Sequence, residues 1–362
     1  MKNMKETEKG ARIIVGGQWG DEGKGLISAY LSARDGASLV CKAGVGPNAE
    51  HGIFLTENGP YIKVNQLPLG WMLNDSSQIR IGSGVAVNPE LLLKEMERYD
   101  LWERVMVDFR CPIITAAHIE AERKSKGMGA IGSTFSGSGF CRADHALRVA
   151  KHASDVPELQ GLITDVAVEV NREAGKEVVV IESSQGTYLS LSVSHEYPNV
   201  TSDNVTSMAA ADDVLLNWRK LSEVVLAVKT MPTREGAGSL GARELTQEQI
   251  IKNGLTEKSS IGGVIRRKGE GVNWEMLSYA AEINGATQIA LTFCDHYDPL
   301  VTGVTEKSGL TDRIWQLIER VQKETGVPVT MLNTGKPFFS MVDLTGRGVD
   351  WETIRERVKR LS

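Results

Sequence analysis

With 362 residues, 41% of them hydrophobic and 24% charged, the chain can bury a core of α/β size and is neither disordered nor fibrous. A net charge of −5 argues against a protein that holds polymeric nucleic acid, which takes a basic surface. Four cysteines without C-x-x-C spacing (Cys41, Cys111, Cys141, Cys294) point to neither a disulfide framework nor a zinc site, and no apolar run reaches the ~20 residues of a membrane span.

The start, MKNMKETEKGAR, is polar and has no signal-peptide core, so residues 1–10 read as a flexible tail and 11–362 as a single domain of a cytoplasmic protein. Ile13-Ile14-Val15 then runs into a loop with four glycines between Gly16 and Gly23, and an apolar periodic segment follows from Gly25. That is strand, loop and helix, an arrangement that can aim backbone N–H groups and a helix N-terminus at a phosphate, with Lys24 adding a point charge. The P-loop pattern is not met, since it would need Gly at Gln18 and a hydroxyl at Gly25. Asp21 and Glu22 are unusual beside a phosphate: either they are solvated acids on a tight turn, or a cation or proton chemistry explains them.

The run Gln18-Trp19-Gly20-Asp21-Glu22-Gly23-Lys24-Gly25 resembles the signature of the adenylosuccinate synthetase family, in its short form, and the resemblance recurs to about residue 340. It implies an enzyme, a C–N ligase that joins L-aspartate to a 6-oxopurine nucleotide at the expense of a nucleoside triphosphate. It also implies Asp21 as base and Mg²⁺ ligand, Lys24 as catalytic cation, and Gly20, Glu22, Gly23 and Gly25 at the nucleotide.

Leu39–Lys42 reads as a short strand leading to Ala43–Gly52, where glycines and Pro47 rule out helix and leave Asn48 and His51 on a loop beyond a strand end. The resemblance makes Asn48 a nucleotide contact and His51 the group that gives a hydrogen bond or proton to O6. Glu50 replaces a glycine whose backbone carbonyl reaches the metal in the family. Ile79–Ile81 is a strand, Asn88 and Pro89 start a helix running to about Tyr99, Val105–Phe109 is a strand and His118–Lys126 a polar helical stretch. Gly127–Gly139, rich in glycine and hydroxyls, suits either a flexible linker or a monophosphate site. By resemblance Gly132, Ser133 and Thr134 contact the 5′-phosphate, Phe135 stands for a glycine, and Arg148 reaches the neighbouring subunit's nucleotide in a homodimer.

Val178–Ile181 is an unbroken β-branched run, the mark of a strand buried on both faces of a parallel sheet, and it delivers Gln185 to the strand's C-terminal end. The resemblance places Gln185 at the base, Thr201 at the phosphate, Arg234 at the nucleotide, and Ser183 where the family has glycine. Val224–Lys229 is a further strand. In Ser259–Lys268 the aspartate loop is implied at Gly262, Gly263, Val264 and Arg266, with Val264 and Ile265 in place of two arginines; guanidinium suits a dicarboxylate. Ile289–Thr292 leads to Asp295, whose carboxylate can accept from guanine, although Phe293 replaces the family's lysine. GTP is favoured as phosphoryl donor, with ATP or dATP left open. Asp312–Glu324 is an amphipathic helix, and Val327–Leu332 a last strand into Asn333-Thr334-Gly335, a nucleotide-base loop by resemblance.

Strands alternating with helices predict a doubly wound, mostly parallel α/β sheet with helices on both faces and long functional loops. The departures at Glu50, Phe135, Ser183 and Val264 resemble those of the viral 2-aminoadenylosuccinate synthetases. They predict dGMP as preferred substrate, with IMP as the alternative and the host cytoplasm as the setting if the source is viral. A GTP-binding regulatory protein is the rival from another class; its P-loop is missing.

Overall fold

The computed structural model describes residues 8–258 and 263–359. Fourteen strands are β1 (Gly10–Gly16), β2 (Leu39–Lys42), β3 (His51–Phe54), β4 (Tyr61–Val64), β5 (Gln78–Ile81), β6 (Val105–Asp108), β7 (Ile163–Thr164), β8 (Val178–Glu182), β9 (Leu221–Lys229), β10 (Thr233–Arg234), β11 (Arg267–Lys268), β12 (Gln288–Thr292), β13 (Val329–Asn333) and β14 (Met341–Asp343). Ten of them form one sheet, ordered β14-β13-β12-β9-β1-β8-β2-β5-β6-β7. Every pair in it is parallel except β13–β14.

Alternation within the strands builds a core on each face. Ile14, Val40, Val180 and Val225 face one layer of helices, while Ile13, Val15, Val179, Ile181, Val224 and Leu226 face the other. Both layers are dry, which is why β1 and β8 are apolar at nearly every position and fully buried. The helix from Pro89 to Tyr99 starts as its sequence requires, with the Asn88 side chain accepting from Leu91 N at 3.2 Å. The helix at Asp312–Thr325 buries its stripe of Ile314, Leu317, Ile318 and Val321.

Two regions differ from the reading by residue type. Gly127–Gly139 is no linker: Lys126–Ile131 and the helix from Ser138 to Ala146 are helical, and the turn between them is tied down by Glu122, which accepts from the Ser133 hydroxyl at 2.7 Å and from Gly137 N. His51 opens a strand rather than sitting on a loop, because β3 pairs with β4 in a small antiparallel ribbon outside the main sheet. The pairing is marked in the sequence only by the turn residues Asn58-Gly59-Pro60 between two four-residue strands.

Candidate active site

β1 lies near the middle of the sheet, between β8 and β9, so the loops that leave their C-terminal ends converge. The loop after β1 is shaped from inside. Glu22 is fully buried: one carboxylate oxygen accepts from Gln18 N at 3.0 Å and Gly20 N at 2.9 Å, and the other meets the Lys24 ammonium at 2.7 Å. Glycine is required at positions 16 and 186, where an added Cβ would lie 2.4 Å and 2.5 Å from the Glu22 carboxylate. Gln18 fixes the loop to β9 by a reciprocal pair of bonds with the Lys229 backbone, each 3.0 Å. Glu22, expected at the nucleotide, is thus turned into its own loop, and two of the N–H groups expected to face phosphate face Glu22 instead. Gly23 caps helix α1 (Lys24–Asp35) in the left-handed conformation, φ 74°.

A cavity of about 930 Å³ opens above these strand ends. Asp21, Lys24, Asn48, His51, Gln185 and Arg266 all line it. Gly20, Gly23, Gly25, Glu50, Gly132, Ser133, Thr134, Thr201 and Arg234 line it as well. Three of its lining residues hold left-handed backbones without being glycine: Asp21 (φ 63°), Gln185 (φ 59°) and Phe293 (φ 55°). Such conformations cost free energy and persist where the surroundings fix them, commonly at functional sites.

The charges within the cavity are paired. Asp21 accepts from Arg266 Nη1 at 2.6 Å, and Arg266 Nη2 reaches Glu235 at 3.0 Å. Glu50 is held at the rim by Lys63 at 2.7 Å, with the Tyr61 hydroxyl at 3.5 Å. Asn48 donates to the Thr201 hydroxyl at 3.4 Å. Arg234 is buried and donates to Glu196, to Ser239 O at 2.6 Å and to Asn199 O at 2.7 Å. His51 Nδ1 meets Glu182. Burial, and next the Lys42 ammonium, push the His51 imidazole down to about 4, so near neutral pH it is uncharged.

Other expected residues lie elsewhere. Ser183 is buried beneath the sheet edge, its N–H on Ile14 O at 3.1 Å and its hydroxyl 3.4 Å from Ser184 O, and it is outside the cavity lining. A hydroxyl there does not face a purine. Asp295 sits in the first turn of the short helix Cys294–Tyr297, behind Phe293, where burial pushes its carboxyl up. Asn333 accepts from Phe293 N at 3.2 Å and donates to Gly335 O at 2.7 Å, while the Thr334 hydroxyl donates to Val304 O at 2.6 Å. These residues brace one another beside the cavity. Arg148 is exposed and outside the cavity lining. Gly263 turns with φ 68° and Val264 is 63% exposed; Gly262 lies outside the described residues.

Residue type alone missed Glu182, Lys42, Glu235, Glu122 and Arg142. Glu182 was visible as an acid ending a β-branched run, and Arg142 lines the cavity while donating to Gly84 O at 2.6 Å. A further signal was Trp19, which packs its ring 5.4 Å from that of Tyr188 and anchors the loop's outer side.

The family model described as adenylosuccinate synthetase matches residues 13–162 and 151–302. The chain belongs to that family. An adenylosuccinate synthetase of Archaeoglobus fulgidus is 42% identical over 340 residues, which cover 92% of this chain and 98% of the relative. That of Methanocaldococcus jannaschii is 41% identical over 337 residues, covering 92% and 96%. Among solved structures, the fully ligated adenylosuccinate synthetase of Plasmodium falciparum superposes with a TM-score of 0.81 at 22% identity, covering 93% of this chain and 100% of that one. The succinoaminodeoxyadenylate synthetase of cyanophage S-2L, bound to dGMP and dATP as an energy donor, gives 0.78 at 23% identity, covering 98% and 99%. The doubly wound fold read from the sequence is the fold of both. The chain is therefore a C–N ligase of the adenylosuccinate synthetase type, and the regulatory reading is set aside. Among the described residues, no helix of this synthetase is long and apolar enough to cross a membrane.

Proposed function

We propose that this chain joins L-aspartate to C6 of dGMP, giving N6-succino-2-amino-2′-deoxyadenylate through a 6-phosphoryl intermediate. The observation that carries the chemistry is the gathering of Asp21, Lys24, His51 and Gln185 around one cavity, with Arg266 on Asp21. Asp21 accepts the N1 proton, which raises the nucleophilicity of O6 for attack on the γ-phosphoryl group. Lys24 offsets the charge, and Gln185 holds the base. For His51 to donate toward O6 it must become an imidazolium; Glu182 at Nδ1 and the phosphoryl charge at the other ring nitrogen favour that form against burial and Lys42. The amine of aspartate then displaces phosphate at C6, its carboxylates taken by Arg266.

Mg²⁺ takes one or two carboxylates together with substrate phosphates, so Asp21 and the Glu50 backbone carbonyl, both from residues that line the cavity, would hold such an ion, which would supply charge neutralisation on the phosphoryl oxygens. Among the described residues no group of three His, Cys, Asp or Glu forms an all-protein metal cage, in keeping with an ion shared with the nucleotide.

The choice of dGMP rests on side chains. Val264 is aliphatic and exposed, outside the cavity lining, where the resemblance implies an arginine near the ribose, so a 2′-hydroxyl gains no partner from that position. The Glu50 carboxylate lines the cavity and can accept from a 2-amino group, as can Asp21. IMP is the second reading: Ser183, the other candidate acceptor for the 2-amino group, is turned away from the cavity. The test is kcat/KM for dGMP, GMP, dIMP and IMP under one set of conditions, with GTP and dATP as donors. The expected order places dGMP first, and a clear preference for IMP refutes it. Asp295 favours GTP as donor, and faster turnover with ATP or dATP removes that assignment. Val264→Arg is expected to move the preference toward ribonucleotides.

The same proposal makes the enzyme a homodimer with shared sites. Arg148 is exposed with φ 64°, between Leu147 and Val149, which are 68% and 67% exposed, an arrangement that suits a residue covered by a second copy. Arg148→Ala is expected to weaken monophosphate binding without changing the unfolding midpoint. Mixed with Asp21→Asn protein it should recover activity through hybrid dimers with one intact site; no recovery after confirmed subunit exchange removes the shared site.

A further inference from the structure

We propose that Glu182 is a positioning residue for the ligase reaction, fixing the ring orientation and tautomer of His51 so that its free nitrogen is presented to the purine. Glu182 is the last residue of β8 and is fully buried, and it is outside the cavity lining, so it touches no substrate. Both of its oxygens are committed. One meets His51 Nδ1, and the other accepts from Leu69 N at 2.8 Å. Leu69 in turn packs on α1, where a Cβ built on Gly25 would lie 2.7 Å from it, so the carboxylate is held between the phosphate-side helix and the sheet.

A carboxylate without its own counter-charge would be costly at zero exposure. The cation acting on it from the sheet is Lys42, its register partner in β2, itself fully buried and joined to it by no hydrogen bond, with burial pushing the Lys42 ammonium down. Burial pushes the Glu182 carboxyl up, but its contact with the His51 ring, together with Lys42, outweighs it and leaves the group below its ordinary range. The charged groups around the His51 ring are thus Glu182 and Lys42 from the sheet and Lys24 from α1. An ionised Glu182 accepts only, so it takes a hydrogen bond from Nδ1–H and leaves the other ring nitrogen for the cavity that His51 lines. Without it, the ring loses the negative partner that holds Nδ1–H and favours the imidazolium needed for donation toward O6, and an uncharged amide in its place supports that form less.

The inference rests on the reading that His51 acts at O6, and a mutant cycle separates the two. Wild type, H51A, E182Q and H51A/E182Q are compared in kcat, in KM for the monophosphate and in unfolding midpoint. H51A is expected to lower kcat by about 10²- to 10⁴-fold with nucleotide affinity largely kept, the usual contribution of a general acid. E182Q is expected to lower kcat by about 10- to 100-fold, as supporting partners of a functional histidine do, with KM within about threefold, and to add less than about twofold in the H51A background. Because E182Q strands the Lys42 ammonium, E182Q/K42M is carried alongside: it removes both buried charges and should recover the folded state while kcat stays low. Wild-type kcat in H51A overturns the reading of His51 and the inference with it. A slow H51A beside an E182Q of wild-type kcat, or equal E182Q losses in both backgrounds, overturns the inference alone. Recovery of kcat in E182Q/K42M shows a merely structural pair and overturns it too.

Discussion

Asp21→Asn is expected to abolish turnover, to below about a thousandth of wild type, while leaving the fold in place. Asparagine adopts the left-handed backbone that Asp21 holds (φ 63°) at least as readily, so the change adds no strain. Arg266 keeps Glu235 as a partner, at 3.0 Å. What is lost is the negative charge that takes the N1 proton and meets the cation, a deficit of several kcal/mol in the transition state. Steady-state turnover and a denaturant titration measured on one preparation decide it. Activity within about threefold of wild type removes Asp21 from the chemistry, and loss of the folded state would make it a structural acid instead.

Glu22→Ala is expected to act on stability first. Its carboxylate is fully buried, accepts from two backbone N–H groups and pairs with Lys24. Removing one member of a buried ion pair strands the other, at about 3–5 kcal/mol, and the orphaned N–H groups add to that. The denaturant midpoint should fall with an unchanged slope, and turnover should fall as the loop loses its shape. A loss under about 1 kcal/mol would mean that water replaces Glu22 without difficulty, and the inside-out account of this loop would be wrong. The two acids are adjacent in the chain, yet one change is expected to leave an inert folded protein and the other an unstable one.

That contrast also marks how much could be read from residues alone. Strands at Leu39–Lys42, Val178–Glu182 and Gln288–Thr292 were legible because both faces are buried, which leaves apolar runs bounded by turn residues. The cap at Asn88 was legible because helix ends have local chemistry. The β3–β4 ribbon had a signal too, Asn58-Gly59-Pro60 between two short apolar runs, which the reading left unused. In the site, Asp21, Lys24, His51 and Gln185 stood out as charged or polar groups beside glycine turns. Their supports did not. Glu182 is 131 residues from His51, and Gln18 is 211 from Lys229, separations that only the strand order closes. Ser183 shows the converse: the resemblance put it where the family has a glycine by the nucleotide, but its side chain is buried, with the hydroxyl 3.4 Å from Ser184 O, outside the cavity lining.

The loop after β1 has a consequence for anyone who would copy it. Its outline is drawn by Gln18 on β9, by Glu22 wedged against Gly16 and Gly186, and by Trp19 on Tyr188, so each wall belongs to a different stretch of chain. The eight-residue signature is therefore not a portable device: a peptide carrying it, or a graft onto another scaffold's strand and helix, would bring the letters without the mould. A transplant would need β1, β8 and β9 together with Gly16 at the end of β1 and Gly186 in the loop beyond β8, and circular permutants that cut between those strands should keep the loop wherever the three still meet.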